Sequence, residues 1–149
     1  MAARVIRMTW PSLDASASIQ LLDDRAPTIC NLLWDALPWE SVQGHALISG
    51  FMMFATSPVF TLARENVRLF TQMGPGDCAY GPGSQNVVVA YGPLTEPEGI
   101  SVWGHVPREH WPTLRRVGQR AWQNLMAPYG DLTLNPLAKQ IILVRYEKA

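Results

Sequence analysis

The chain predicts a mainly β fold, a closed antiparallel barrel flanked by two helices, and three features of the sequence carry that prediction. Short β-branched or alternating segments outnumber helical ones by at least three to one. The gaps between most of them are too short for crossover helices, so neighbouring strands must run antiparallel. Several of the segments are apolar on both faces, as strands inside a closed or doubly covered sheet are.

Val5 to Trp10 alternates loosely and stops at Pro11, an opening strand. Ser16 to Leu22 is its partner, with Ala17, Ile19 and Leu21 on one face, and Pro11 to Ala15 is long enough for the hairpin between them. The first helix spans about 23–37. Asp23 or Asp24 is the expected cap, Pro27 falls in the first turn, and Ile29, Leu32, Leu33, Ala36 and Leu37 recur on one face until Pro38 ends it. Cys30 and Trp34 lie toward the edge of that face, and Cys30 reads as a small core residue.

Gly44 to Phe60 is almost continuously apolar, broken by Ser49-Gly50, where a bulge or turn is expected. Thr61 to Phe70 reads as an irregular segment carrying Arg64, Glu65, Asn66 and Arg68. From Gly74 to Gly92 the sequence GPGDCAYGPGSQNVVVAYG is a hairpin. Asp77 to Tyr80 and Val87 to Tyr91 are its strands, and the glycines of Gly81-Pro82-Gly83-Ser84 are expected to supply the backbone angles of the return. Ile100 to Val106 is a further strand, with Ser101, Trp103 and His105 on one face. The second helix spans about 108–126 on Leu114, Val117, Ala121 and Leu125, and Ile141 to Tyr146 is the last strand.

With 149 residues the chain is read as one domain, 1–149, able to bury roughly two thirds of its unfolded surface. Twelve Lys and Arg balance twelve Asp and Glu without a basic run, which argues against nucleic acid as a partner. Cys30 and Cys78 form no C-x-x-C pair, and His105 and His110 have no third ligand nearby, so neither a disulfide framework nor a metal site is expected. No stretch is apolar for the roughly eighteen residues a membrane span needs, and Met1 to Arg7 has no signal-peptide core, so a cytoplasmic protein is expected. Six tryptophans exceed what a core of this size needs, which leaves aromatic surface for a pocket or for contact between copies in a homo-oligomer.

Taken together, Ser18 to Thr28 with Asn31-Leu32-Leu33, His45-Ala46, Ser49-Gly50, Glu65-Asn66, Pro75-Gly76-Asp77, Tyr80 to Gly83 and Val89 to Gly92 resemble the small bacterial cyclophilin-like proteins related to cucumopine synthase. The likeness runs from about Ile19 to Leu132 and implies a cyclophilin-type β-barrel. It also implies a small-molecule enzyme that condenses or cyclises an amino acid or amine with an oxo acid, without a cofactor. Where the family pattern has an acidic residue after Ser-Gly, this chain has Phe51, and Ser84-Gln85-Asn86 replaces an acidic hairpin loop. Those departures imply a changed or lost substrate.

On this reading Glu65 and His45 are the acid and base. A loop carboxylate over a barrel mouth can take a proton, and an imidazole works in either direction near neutral pH. Tyr80 or Tyr91, each beside a glycine, would donate to a carbonyl or imine. Arg64 or Arg68 would clamp a carboxylate, and Ser49, Asn66, Trp103 and His105 would line the substrate site. Two other functions fit the same residues: a barrel that binds a small ligand or a peptide without chemistry, as a prolyl isomerase groove does, and a hydrolase of a cyclic amide. The Gly-rich hairpin is not a phosphate loop, since it has no lysine and leads into a strand, and Ser84 does not sit in a G-x-S-x-G elbow.

Overall fold

A computed structural model describes residues 2–127 and 140–149. The strands among them are β1 (Val5–Trp10), β2 (Ala15–Leu21), β3 (Trp39–Val42), β4 (Gly44–His45), β5 (Gly50–Thr56), β6 (Val67–Leu69), β7 (Asp77–Gly81), β8 (Asn86–Leu94), β9 (Gly99–His105) and β10 (Leu143–Lys148). The helices are α1 (Pro27–Ala36) and α2 (Trp111–Met126).

All pairings are antiparallel, in the order β3-β10-β1-β2-β9-β7-β8-β5-β4, with β6 added beside β9. The two ends of that order, β3 and β4, are consecutive in the chain and separated only by Gln43, so the barrel is nearly closed there. Gln43 makes the seam. Its N–H donates to Ile142 (2.7 Å), its side-chain amide donates to the Phe54 carbonyl (3.0 Å), and its Oε1 accepts the indole N–H of Trp10 (2.8 Å).

The doubly apolar strands have a direct explanation. Val87, Val89 and Tyr91 face the barrel interior with Met53, Cys78, Tyr80 and Trp103, while Val88 and Ala90 face outward with Met52, Ala79, Ile100 and Val102. That outer face is not left to water: Phe70 and Met73, on and just after the 3₁₀ turn Phe70–Gln72, pack over it. Both helices reach the interior core, α1 through Ile29, Cys30 and Leu33 and α2 through Leu114 and Val117. A helix can touch the inside of a closed barrel only at an opening, so each covers one.

Four expectations need correction. Neither Asp23 nor Asp24 caps α1, which starts after Ala26 with no side-chain cap from its own segment. Asp23 instead pairs with Arg4, and the free N–H groups of Thr28 (3.1 Å) and Ile29 (2.9 Å) donate to the carboxylate of Glu65. The hairpin return does not use a glycine: the residue with positive φ is Gln85, at 54°, whereas Gly81 and Gly83 have no positive φ. The irregular segment ends in β6, and 39–42 form β3, a strand too short and too mixed in composition to show as periodicity. Arg108–His110 is a 3₁₀ turn rather than the start of the second helix. The Ser49-Gly50 break is a bulge as expected, with a register shift between Gly50 and Met52 and Gly50 at φ 89°.

Candidate active site at the opening covered by α2

A cavity of about 680 Å³ lies between the β4–β5 connection, β8 and α2. Its floor is made by His45 and Tyr91, and its walls by Phe51 and Trp122. Its rim holds Ile48 with Gln119 and Gln123, the last two one helical turn apart on α2.

The floor is a hydrogen-bonded pair whose proton positions are fixed by chemistry. His45 Nδ1 lies 2.8 Å from the Ala46 carbonyl, which can only accept, so Nδ1 carries the hydrogen. In the neutral ring Nε2 is then an acceptor, and Tyr91 Oη, 2.6 Å away, donates to it. Burial holds the imidazole below its ordinary value, against the upward pull of the Ala46 hydrogen bond, which keeps the ring in this neutral form. Burial also pushes the Tyr91 phenol up, so the resting pair is neutral on both sides. With its hydrogen committed to His45, the phenol oxygen has only lone pairs left to offer.

Glycine makes the geometry possible at two places. A Cβ on Gly118 would sit 2.4 Å from Tyr91 Cε1 and 2.5 Å from Cζ, so α2 approaches the ring only because that position is bare. A Cβ on Gly92 would sit 2.8 Å from Phe51 Cγ. Phe51 thereby reaches Tyr91 edge-on, with centroids 5.4 Å apart at 87°, and Trp122 meets His45 in the same manner at 5.1 Å and 62°.

The residues singled out from sequence are dispersed over the barrel. His45 and Tyr91 are brought together. Ser49 is adjacent in the chain to cavity residues but is itself buried, and its hydroxyl donates to Glu96. Glu65 caps α1, and its own N–H donates to Ser101 Oγ at 3.0 Å. Asn66 donates to the Val102 carbonyl at 2.8 Å. Arg64 and Tyr80 line a separate cavity of about 220 Å³ with Glu96 and Glu98, where the Tyr80 hydroxyl already donates to Val59 at 2.7 Å.

Trp103 and His105 do not form one wall. Trp103 is inside the barrel, while His105 Nδ1 donates to Asp77 at 3.1 Å and its ring faces Trp111. Burial alone would raise the Asp77 carboxyl, but hydrogen bonds from His105 and the Gly74 N–H, with the nearby Arg68 charge, hold it below its ordinary value. Cys30 is fully buried rather than at an edge, donates its S–H to the Trp103 carbonyl, and has its thiol pushed up to about 12 by burial. Among the described residues no group of three or more His, Cys, Asp or Glu is placed to hold a metal ion, and no helix is long and apolar enough to cross a membrane.

Sequence reasoning missed the α2 side of the cavity. A glycine in mid-helix followed by tryptophan at i+4 was the available signal, since glycine there costs about 1 kcal/mol and calls for a packing reason.

Among solved structures, the chain is similar to McbB in complex with tryptophan, with a TM-score of 0.81 and 30% identity over 96% of this chain. This is a cyclophilin-like barrel. The chain spans 44% of that neighbour's length. A hypothetical protein AF2241 from Archaeoglobus fulgidus, solved in solution, has the same fold at a TM-score of 0.62 and 16% identity, with 99% of this chain and 96% of that one covered. No family model and no curated protein matches the sequence, so the narrower likeness to cucumopine synthase has no support from those comparisons.

Proposed function

We propose that the cavity under α2 is the site of a small-molecule enzyme and that Tyr91 and His45 together remove a proton from the bound substrate. The observation that carries this is the fixed tautomer: the Ala46 carbonyl holds hydrogen on Nδ1, so Nε2 is left to accept from Tyr91. An acidic N–H or C–H of the substrate gives its proton to the phenol oxygen while the phenol passes its own to Nε2. The imidazolium so formed keeps its Nδ1–H bond to Ala46, and its burial favours rapid return of the proton once the new bond is made. The step suits condensation or cyclisation of an amine with a carbonyl compound, the reaction class that the resemblance implies, and the likeness to a barrel solved with tryptophan is in keeping with an aromatic amine component.

Glu65 and Arg64 have no part in this version, because one carboxylate caps a helix and the other side chain lines a different cavity. A rival reading, a binding barrel without chemistry, draws on one observation: no charged side chain lines the cavity among the described residues. A thermal-shift screen of aromatic amines, oxo acids and cyclic amides, with mass spectrometry of each hit, separates the readings. Turnover that is lost in both Tyr91→Phe and His45→Gln, with binding retained, supports the enzyme. Binders without turnover support the rival, and a cyclic amide opened by water would make the site a hydrolase. Turnover untouched by either substitution removes the pair from the mechanism.

A further inference from the structure

The lining of this cavity also says what kind of molecule it accepts. Among the described residues, the ten that line it include no Asp, Glu, Lys or Arg. Glu96 follows the lining residue Thr95 in the chain, but it lines the separate cavity beside Arg64 and accepts the Ser49 hydroxyl. A carboxylate or ammonium carried to the floor would therefore lose its hydration without meeting an opposite charge.

The polar groups that remain point to one pattern. At the floor the phenol hydrogen is committed to His45, so the Tyr91 oxygen can only accept. Thr95 is similarly committed, donating its hydroxyl hydrogen to the Ile48 carbonyl at 2.9 Å. The floor thus calls for a donor on the ligand, between the flat faces and edges of Phe51 and Trp122. Among the lining side chains of the described residues, only Gln119 and Gln123, at the rim, offer an amide that can both donate and accept. A cavity of about 680 Å³ has room for a fused bicyclic or tricyclic ring.

We infer that the cavity selects an uncharged heteroaromatic ligand bearing a ring N–H, which donates to the Tyr91 oxygen, and that it discriminates against the same ring carrying an ionised group. The inference rests on the reading of this cavity as the ligand site. It differs from what the barrel solved with tryptophan would suggest, because a free amino acid brings both charges at neutral pH.

The test is calorimetric titration at pH 7.5 with four compounds, against the wild-type chain, Tyr91→Phe and Trp122→Ala. The isomers 3-methylindole and 1-methylindole have the same size and hydrophobicity but differ in the N–H. The 3-isomer is expected to bind at least fivefold more tightly, and the gap is expected to close in Tyr91→Phe. Indole-3-acetamide and indole-3-acetate differ in charge, and the amide is expected to bind at least tenfold more tightly. Equal binding of the two isomers to the wild type, or an acid as tight as the amide, overturns the inference. If the acid binds as well as the amide and Trp122→Ala weakens both, the inference falls while the reading of the cavity as the ligand site stands. If no compound binds, or if Trp122→Ala changes nothing, the reading of the cavity falls with it.

Discussion

Substituting Gly118 by alanine separates the function of α2 from its contribution to stability. The added methyl would stand 2.4, 2.5 and 2.8 Å from Tyr91 Cε1, Cζ and Cδ1, whereas carbon atoms rest at about 3.5–4.0 Å, so the ring must retreat by about 1 Å. That motion stretches the 2.6 Å contact between Tyr91 Oη and His45 Nε2 past about 3.5 Å, where it ceases to be a hydrogen bond. Overpacking costs about 1–3 kcal/mol, and replacing a mid-helix glycine by alanine returns about 1 kcal/mol. With about 1 kcal/mol more for the lost hydrogen bond, the net loss is about 1–3 kcal/mol, which lowers Tm by no more than about 12 °C. The preference for 3-methylindole over 1-methylindole depends on the phenol oxygen's placement and should fall toward unity. In a Tyr91→Phe background the same alanine should change that ratio no further, which makes the double-mutant cycle the decisive measurement. The reasoning fails if Gly118→Ala keeps the full isomer preference, or if its effect adds in full to that of Tyr91→Phe.

Three further outcomes are expected. Because burial lowers the His45 pKa, the unfolded chain binds a proton near pH 6.5 that the folded chain resists, so stability should fall as pH drops from about 6.5 toward the folded value. The difference between wild type and His45→Gln in urea midpoints across that window isolates it, whereas the N–H preference should persist through the window and be lost only below it, where the folded imidazole takes up a proton and its Nε2 donates to the Tyr91 oxygen. Glu65→Ala removes the acceptor for two N–H groups of α1 and should cost about 1 kcal/mol in chemical denaturation, with ligand affinity in the α2 cavity unchanged; a selective loss of affinity would restore Glu65 to the site. Gln43→Leu strands the Trp10 indole N–H and the Phe54 carbonyl at the barrel seam and should cost about 2–3 kcal/mol, read from the urea midpoint, whereas a neutral result would mean that the seam does not depend on it.

The architecture was legible because it rests on local patterns. Alternation in Ala17, Ile19 and Leu21, the valine run at 87–89 and the short gaps between strands are properties of consecutive residues, and a period of two assigns each side chain to a face. Where tertiary partners override local cues the reading failed. Asp23 and Asp24 are good caps by type, but Arg4 takes Asp23, and a carboxylate about forty positions away, Glu65, serves the helix. Gln85 adopts the left-handed angle that its glycine neighbours were expected to take.

The site divides along the same line. That His45 and Tyr91 are titratable groups in an apolar setting could be read from their neighbours in the chain. Which nitrogen of His45 carries hydrogen is set by the local turn that aims Nδ1 at the Ala46 carbonyl, but that Tyr91 rather than Glu65 faces the other nitrogen depends on a contact between residues 46 positions apart. Composition likewise showed that tryptophan was in excess, but only the approach of α2 at Gly118 puts Trp122 over the imidazole. Periodicity assigns a residue to a face because the backbone repeats locally. A hydrogen-bonded pair is set by the packing of distant segments, which no local repeat encodes.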